Sequence, residues 1–205
     1  MKKLSKAECE TTRLAKWLRG QVSTVSPRIA TDGWDTEGAE LLEFALAIPL
    51  ILVMLIGLLD FAHAYNLKQK LANAAREGAR LAASEGTYDI TSSAPTSVQS
   101  VKDDVTTYLA DASVDTSFIG TSMSYNSTSC IGTYYTTSGG VNYGLEIERC
   151  VHVTDSTGNE ILSVRVTLSY PYNWTYGFNY IIKLLIPSST FAGTINIQTD
   201  ATMSY

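Results

Sequence analysis

Three apolar patterns follow one another along this chain. Residues 44–59, FALAIPLILVMLIGLL, carry no charge. These sixteen residues fall short of the ~20 that usually cross a bilayer as a helix. Leu41 and Leu42 precede the run and helix-compatible residues follow it, so tilt and a polar residue near each boundary allow a span over 39–65. In the second pattern, over 66–86, Leu67, Leu71, Ala74, Ala75, Gly78, Leu81 and Ala82 recur at helical spacing, with Lys68, Gln69, Arg76 and Arg80 opposite. This predicts one continuous helix, half membrane span and half amphipathic, closed by Gly86 as a C-cap. Residues 87–97 read as a loop, and Val98, Val101, Val105, Tyr108 and Leu109 predict a short helix over 97–110. The third pattern alternates. SMSYNS, GLEIERCVHV at 144–153, ILSVRVTLSY at 161–170 and GTINIQTDATMSY at 193–205 read as strands, with Leu162, Val164, Val166, Leu168 and Tyr170 on one face. TDSTGNE at 154–160 should join two of them as a hairpin. The predicted fold is α+β: a long N-terminal helix whose amphipathic half covers a small antiparallel sheet in a head domain over 87–205.

Pro49 and Gly57 lie inside the apolar run, where a membrane helix tolerates a kink. Residues 1–38 are polar and broken by Pro27 and Gly33, and are expected to be a leader or tail without fixed structure. Within them, 11–19 could instead form a basic amphipathic helix on an anionic surface. The apolar run begins too far into the chain for a secretory signal peptide.

Charge separates the two parts. Residues 1–38 hold seven Lys/Arg against five Asp/Glu, leaving eight against fifteen of the chain's 15 and 20. Basic residues before the span favour a cytoplasmic N-terminus and an exported head, with the chain in a single pass. The acidic remainder argues against nucleic acid as a partner, since nothing there would neutralise phosphates. Three cysteines are present. Cys9 precedes the span, and Cys130 and Cys150 follow it without metal-ligand spacing. A single Cys130–Cys150 disulfide is the simplest reading, and two unpaired buried thiols the alternative.

Motifs for chemistry are sparse. There is no nucleophile elbow, zinc-protease motif, P-loop or dinucleotide fingerprint. His63 lies at a membrane edge. His152 shares a predicted strand face with Glu146, Glu148 and Cys150, which reads as a polar face rather than a catalytic pair. No metal, cofactor or small-molecule substrate is implied, and the chain is not expected to be an enzyme. The aromatic stretch YPYNWTYGFNY at 170–180 suits packing or a subunit contact better than a sugar site.

Residues 38–86 resemble the N-terminal region of TadE-like proteins, the pseudopilins of the tight-adherence (Flp-type) branch of type IV pilus machinery. The Gly38/Glu43-Phe44 spacing, the proline within the apolar run, Gly57 and AAREGAR at 74–80 carry the resemblance. VRVTLSYPY at 164–172 and GTINIQTDATM at 193–203 resemble the family's last strands. The resemblance implies a pilin-like fold, and a prepilin peptidase that cuts between Gly38 and Ala39. Glu43 would then be the fifth mature residue, pairing with a neighbouring subunit's new amine and so fixing axial register. Pro49, Gly57, Ala74 and Gly78 would shape helix packing. The implied partners are the membrane, the peptidase, other pilins or pseudopilins and the Tad secretion machinery. The implied location is the bacterial inner membrane or an adhesive pilus, and the implied role a non-enzymatic part in pilus assembly or secretion. One departure stands: Asp35-Thr36-Glu37 are acidic where such leaders are commonly basic. An uncleaved leader would leave a single-pass accessory protein displaying the same head.

Overall fold

A computed structural model describes residues 36–154, 156–189 and 193–205. The expectations for residues 1–35, including the helix at 11–19 and Cys9, lie outside the described residues, as do the side chains of Thr36, Glu37 and Ala39. The chain divides into two compact units, Met1–Ile48 and Pro49–Tyr205. In the first, the described residues belong to helix α1 (Thr36–Ser84), which continues through Pro49. In the second come the rest of α1, helices α2 (Thr96–Asp111) and α3 (Phe178–Leu185), and strands β1 (Ile119–Asn126), β2 (Ile131–Ser138), β3 (Val141–Thr154), β4 (Glu160–Tyr172) and β5 (Ile195–Ser204).

The strands form one antiparallel sheet in the order β1-β2-β3-β4-β5. One face is apolar and covered. Leu71, Ala74, Ala75, Ala79 and Ala82 of α1 and Val98, Val101, Val105 and Leu109 of α2 are fully buried with Leu145, Ile147, Val164, Val166 and Leu168 of the sheet. The expected α+β head, with the amphipathic half of the long helix as its cover, is therefore the observed one; α2 shares the covering. The small residues of α1 set how closely it packs. A Cβ placed on Gly78 would come within 2.5 Å of Val105 Cγ2 and 3.5 Å of Val166 Cγ1, so at this point α1, α2 and β4 meet with no room for a side chain.

The hairpin expected at 154–160 is present, with Thr154 paired to Glu160. Three elements differ from the sequence reading. Strand β2 is not among the strands that the alternation marks. It pairs with β3 from Ile131↔Glu148 to Ser138↔Val141, around Gly139 and Gly140 with φ of 59° and 79°. Two successive positive φ values are what a tight two-residue turn between twisted strands needs, and glycine adopts them without strain. Gly86 does not cap α1 in the left-handed region. Instead the buried Arg149 guanidinium donates from Nη2 to the carbonyls of Glu85 (2.9 Å) and Gly86 (3.2 Å) just past the helix end. Helix α3 is the third: residues 178–180 were read only as the end of an aromatic cluster.

Candidate functional site

The first part of the candidate site is the anchor. One helix among the described residues is long and apolar enough to cross a membrane, and only 6 % of its most apolar stretch is buried. Leu41, Phe44, Leu46, Leu50, Met54 and Leu58 stand exposed in succession, Leu46 by 71 %. A helix surrounded by water would not leave so many large apolar side chains uncovered. Gly38 lies in the exposed first turns of α1, with no atom within 4 Å of where a Cβ would be. Glu43 is exposed one turn further on, as is Pro49.

The second part lies where the charge-free run ends. Asp60 is fully buried. One carboxylate oxygen accepts the backbone N–H groups of Thr175 (2.9 Å) and Tyr176 (2.8 Å), and the other accepts that of Phe178 (3.0 Å). Tyr172 donates its hydroxyl to the Asp60 carbonyl at 3.2 Å. Asp60 thus holds the loop after β4 and the first N–H of α3, a helix N-terminus that favours negative charge. Gly177, with φ of 95°, takes the left-handed conformation that turns this loop into the helix. Around the carboxylate the rings interlock edge to face: Phe61 with Trp174 and with Phe178, both at 5.4 Å, and Trp174 with Phe178 at 5.0 Å. Phe178 also lies over Gly57, with Cε2 3.2 Å from the place of a Cβ. The aromatic stretch is thus largely a packed collar around α1, while Tyr176 and Tyr180 remain exposed.

Elsewhere the residues singled out for chemistry are dispersed. Strand β3 has a bulge between Glu148 and Val151, where Arg149 and Cys150 oppose a single residue of β4. The extra residue shifts the alternation by one, so Cys150 and His152 do not continue the face of Glu146 and Glu148 as expected. Cys150 is bonded to Cys130. His152 lies 3.6 Å from Glu160, both well exposed. Glu146 and Glu148 face outward with Arg165, Thr167, Gln198 and Asp200, and Arg165 Nη1 donates to Glu148 at 3.3 Å. Arg149 turns inward instead, fully buried, its Nε donating to the Tyr205 hydroxyl at 2.9 Å. A hollow of about 240 Å³ beside the collar brings together His63, Lys70 and Asp115. Two of these groups already serve the fold: Lys70 Nζ donates to the Ala112 carbonyl at 2.8 Å, and Asp115 accepts the Ser117 N–H at 2.9 Å. Among the described residues no group of three or more His, Cys, Asp or Glu could hold a metal ion.

Sequence reasoning missed Asp60, taking it only as the end of the apolar run. Its own helix offers no Lys or Arg at i±3 or i±4 (Ile56, Gly57, His63 and Ala64 stand there), so the backbone donors it is paired with had to come from another element. It missed Arg149, which alternation sets on the face of Leu145 and Ile147, because its partners, Tyr205 and the carbonyls past the end of α1, lie far along the chain.

Comparison with known proteins agrees with the resemblance read from the sequence: residues 38–80 match the family model of the TadE-like protein. No curated protein and no solved structure matches the chain.

Proposed function

We propose that this protein is a minor pseudopilin: a non-enzymatic subunit of a Tad-type pilus or secretion system, cut after Gly38 and held in the inner membrane by α1 until assembly. The observation that carries this reading is the TadE-like match over residues 38–80. It coincides with an exposed apolar helix on which Gly38 and Glu43 are five residues apart.

The physical role of Glu43 follows from cleavage. A new α-amine at Ala39 and a carboxylate at Glu43 would both sit at the edge of a low-dielectric layer, where an unpaired charge is costly. Pairing between adjacent copies satisfies both and occurs at one axial offset only, which turns the cost into register. The sheet and its outward polar face would then stand outside the membrane for contact with neighbouring subunits. Mass spectrometry of the protein recovered from membranes tests this: an N-terminus at Ala39 is the expected result, and an intact N-terminal segment would overturn it. A second reading, an uncleaved accessory anchor displaying the same head, draws on Asp35 and Glu37, whose charge departs from that of basic leaders. The same spectrum separates the two.

A further inference from the structure

We infer that α3 is a lipid-facing helix that lies in the membrane–water boundary and seats the base of the head on phospholipid. This goes beyond the pseudopilin reading and does not depend on leader cleavage. No residue of α3 is buried. Tyr180, Leu184 and Leu185 are 73 %, 83 % and 70 % exposed, and Ile186, next after the helix, 59 %. An isolated apolar residue on a surface needs no explanation, but a run of three at Leu184, Leu185 and Ile186 with Tyr180 one turn before does.

The level of α3 along the anchor is fixed by its first residue. The Phe178 ring covers Gly57 and meets Phe61 edge to face, and its N–H is held by Asp60. Gly57 to Phe61 is the turn at which the charge-free run ends, where a spanning helix leaves hydrocarbon. The exposed side chains of α3 therefore follow within a few residues of a ring packed at the level of α1 where Leu55, Leu58 and Leu59 are also exposed. The accompanying residues suit a boundary. Tyr176 and Tyr180 are exposed aromatic rings with a polar tip, and Lys183, the single charged residue of α3, can lift its ammonium to phosphate headgroups over an apolar stem. A second copy of the chain is the competing occupant of this face. Lipid is favoured because an anchored chain holds α3 at the lipid boundary whether or not another copy is near.

The test uses the full chain with Cys9→Ser, its Cys130–Cys150 disulfide intact, reconstituted in vesicles of phosphatidylethanolamine and phosphatidylglycerol. An environment-sensitive fluorophore is attached in turn to Leu184→Cys, Leu185→Cys, Leu58→Cys and Thr137→Cys, the last on the β2–β3 hairpin. Each labelled chain is required to match wild-type trypsin resistance, and two α3 positions guard against one substitution disturbing the fold. Lipids carrying a nitroxide near the headgroup should quench the Leu184 and Leu185 labels more than about twofold, with blue-shifted emission, as for a helix at the acyl boundary. The Thr137 label should be unaffected. Water-like emission without quenching at both α3 positions, with the Leu58 label quenched, would overturn the inference. Blue-shifted emission without lipid quenching, with cross-links between copies, would also overturn it and assign the face to a second copy. An unquenched Leu58 label would defeat the anchor and this inference together, and leave the leader cleavage to be judged by mass spectrometry alone.

Discussion

At the scale of single residues, the two that matter most to the base and the core are ones whose value lies in what surrounds them. Asp60, itself fully buried, accepts three backbone N–H groups. Replacing it by alanine leaves those part-buried donors without their acceptor, at up to roughly 1–3 kcal/mol each before relaxation. Asp60→Ala should therefore lower the stability of the detergent-solubilised chain by at least about 2 kcal/mol, measured by denaturant unfolding followed by near-ultraviolet circular dichroism. Asp60→Asn, which keeps one acceptor oxygen, should fall between the two. At Gly78 two effects oppose each other. Alanine would gain about 1 kcal/mol in helix propensity. Its Cβ would also meet a branched, fully buried Val105 at 2.5 Å, and overpacking costs about 1–3 kcal/mol. The clash should win, making Gly78→Ala destabilising, and the double variant Gly78→Ala/Val105→Ala should lose less than the two single losses combined. Additive losses in that double-mutant cycle would show that no contact is shared.

At the scale of elements, α2 illustrates how a helix can be started from outside itself. The residue before it, Pro95, offers no side-chain cap. Asp89, six residues upstream, does so instead, accepting the Ser97 N–H at 2.8 Å, the Ser97 hydroxyl at 2.7 Å and the Thr96 hydroxyl at 3.2 Å. Burial pushes the Asp89 carboxyl up, but these hydrogen bonds outweigh it and hold the group below its ordinary value. A carboxylate lowered in the folded state adds stability that is complete above the unfolded pKa and is lost as pH falls through the folded one. Asp89→Ala should thus cost about 1 kcal/mol at neutral pH, a usual cap value. The difference from wild type should shrink steadily below pH of about 4, as read by thermal melts across pH. A constant difference from pH 7 to pH 3 would show that the carboxylate's charge is not what caps α2. The patterns of α1, α2, β4 and β5 were readable because each keeps one period against one buried face. Strand β2 was not, because IGTYYTTS mixes threonine, tyrosine and glycine with no apolar alternation; only the Gly139-Gly140 pair, with a β-rich run on either side, marked the hairpin. Helix α3 also had marks that went unused: Gly177 before it, Pro187 after it, and Phe178, Ile181, Ile182 and Leu185 at helical spacing.

At the scale of the whole molecule, membrane insertion and subunit assembly should be separable. Glu43 is exposed and distant in sequence from the collar that Asp60 organises, so Glu43→Ala should leave membrane insertion and leader processing intact while lowering pilus or secretion output several-fold, counted by electron microscopy and sheared-fibre immunoblots. Normal assembly in that variant would remove the register role. Gly38→Ala should block processing, seen as a larger species on denaturing gels, and a normally sized product would place the cut elsewhere. The head should withstand the first change without loss, because its core lies within Pro49–Tyr205.

The sequence by itself determined the elements whose physics is local. A charge-free run suits lipid, a 3.6-residue period demands one covering surface, a two-residue period demands a half-buried sheet, and the glycine–glutamate spacing at the head of the run carried the resemblance to TadE-like proteins. Tertiary structure decided everything that depends on a partner far along the chain. That Asp60 is a buried hub and not a stray boundary charge follows from a loop 115 residues later bringing three N–H groups to it. That Cys150 and His152 leave the face of Glu146 and Glu148 follows from one extra residue in β3, which reverses the faces beyond it. That α3 stands beside the end of the apolar run follows from Phe178 packing over Gly57 of α1, where no side chain excludes it. Periodicity reports the burial of a segment against something; only the folded chain says against what.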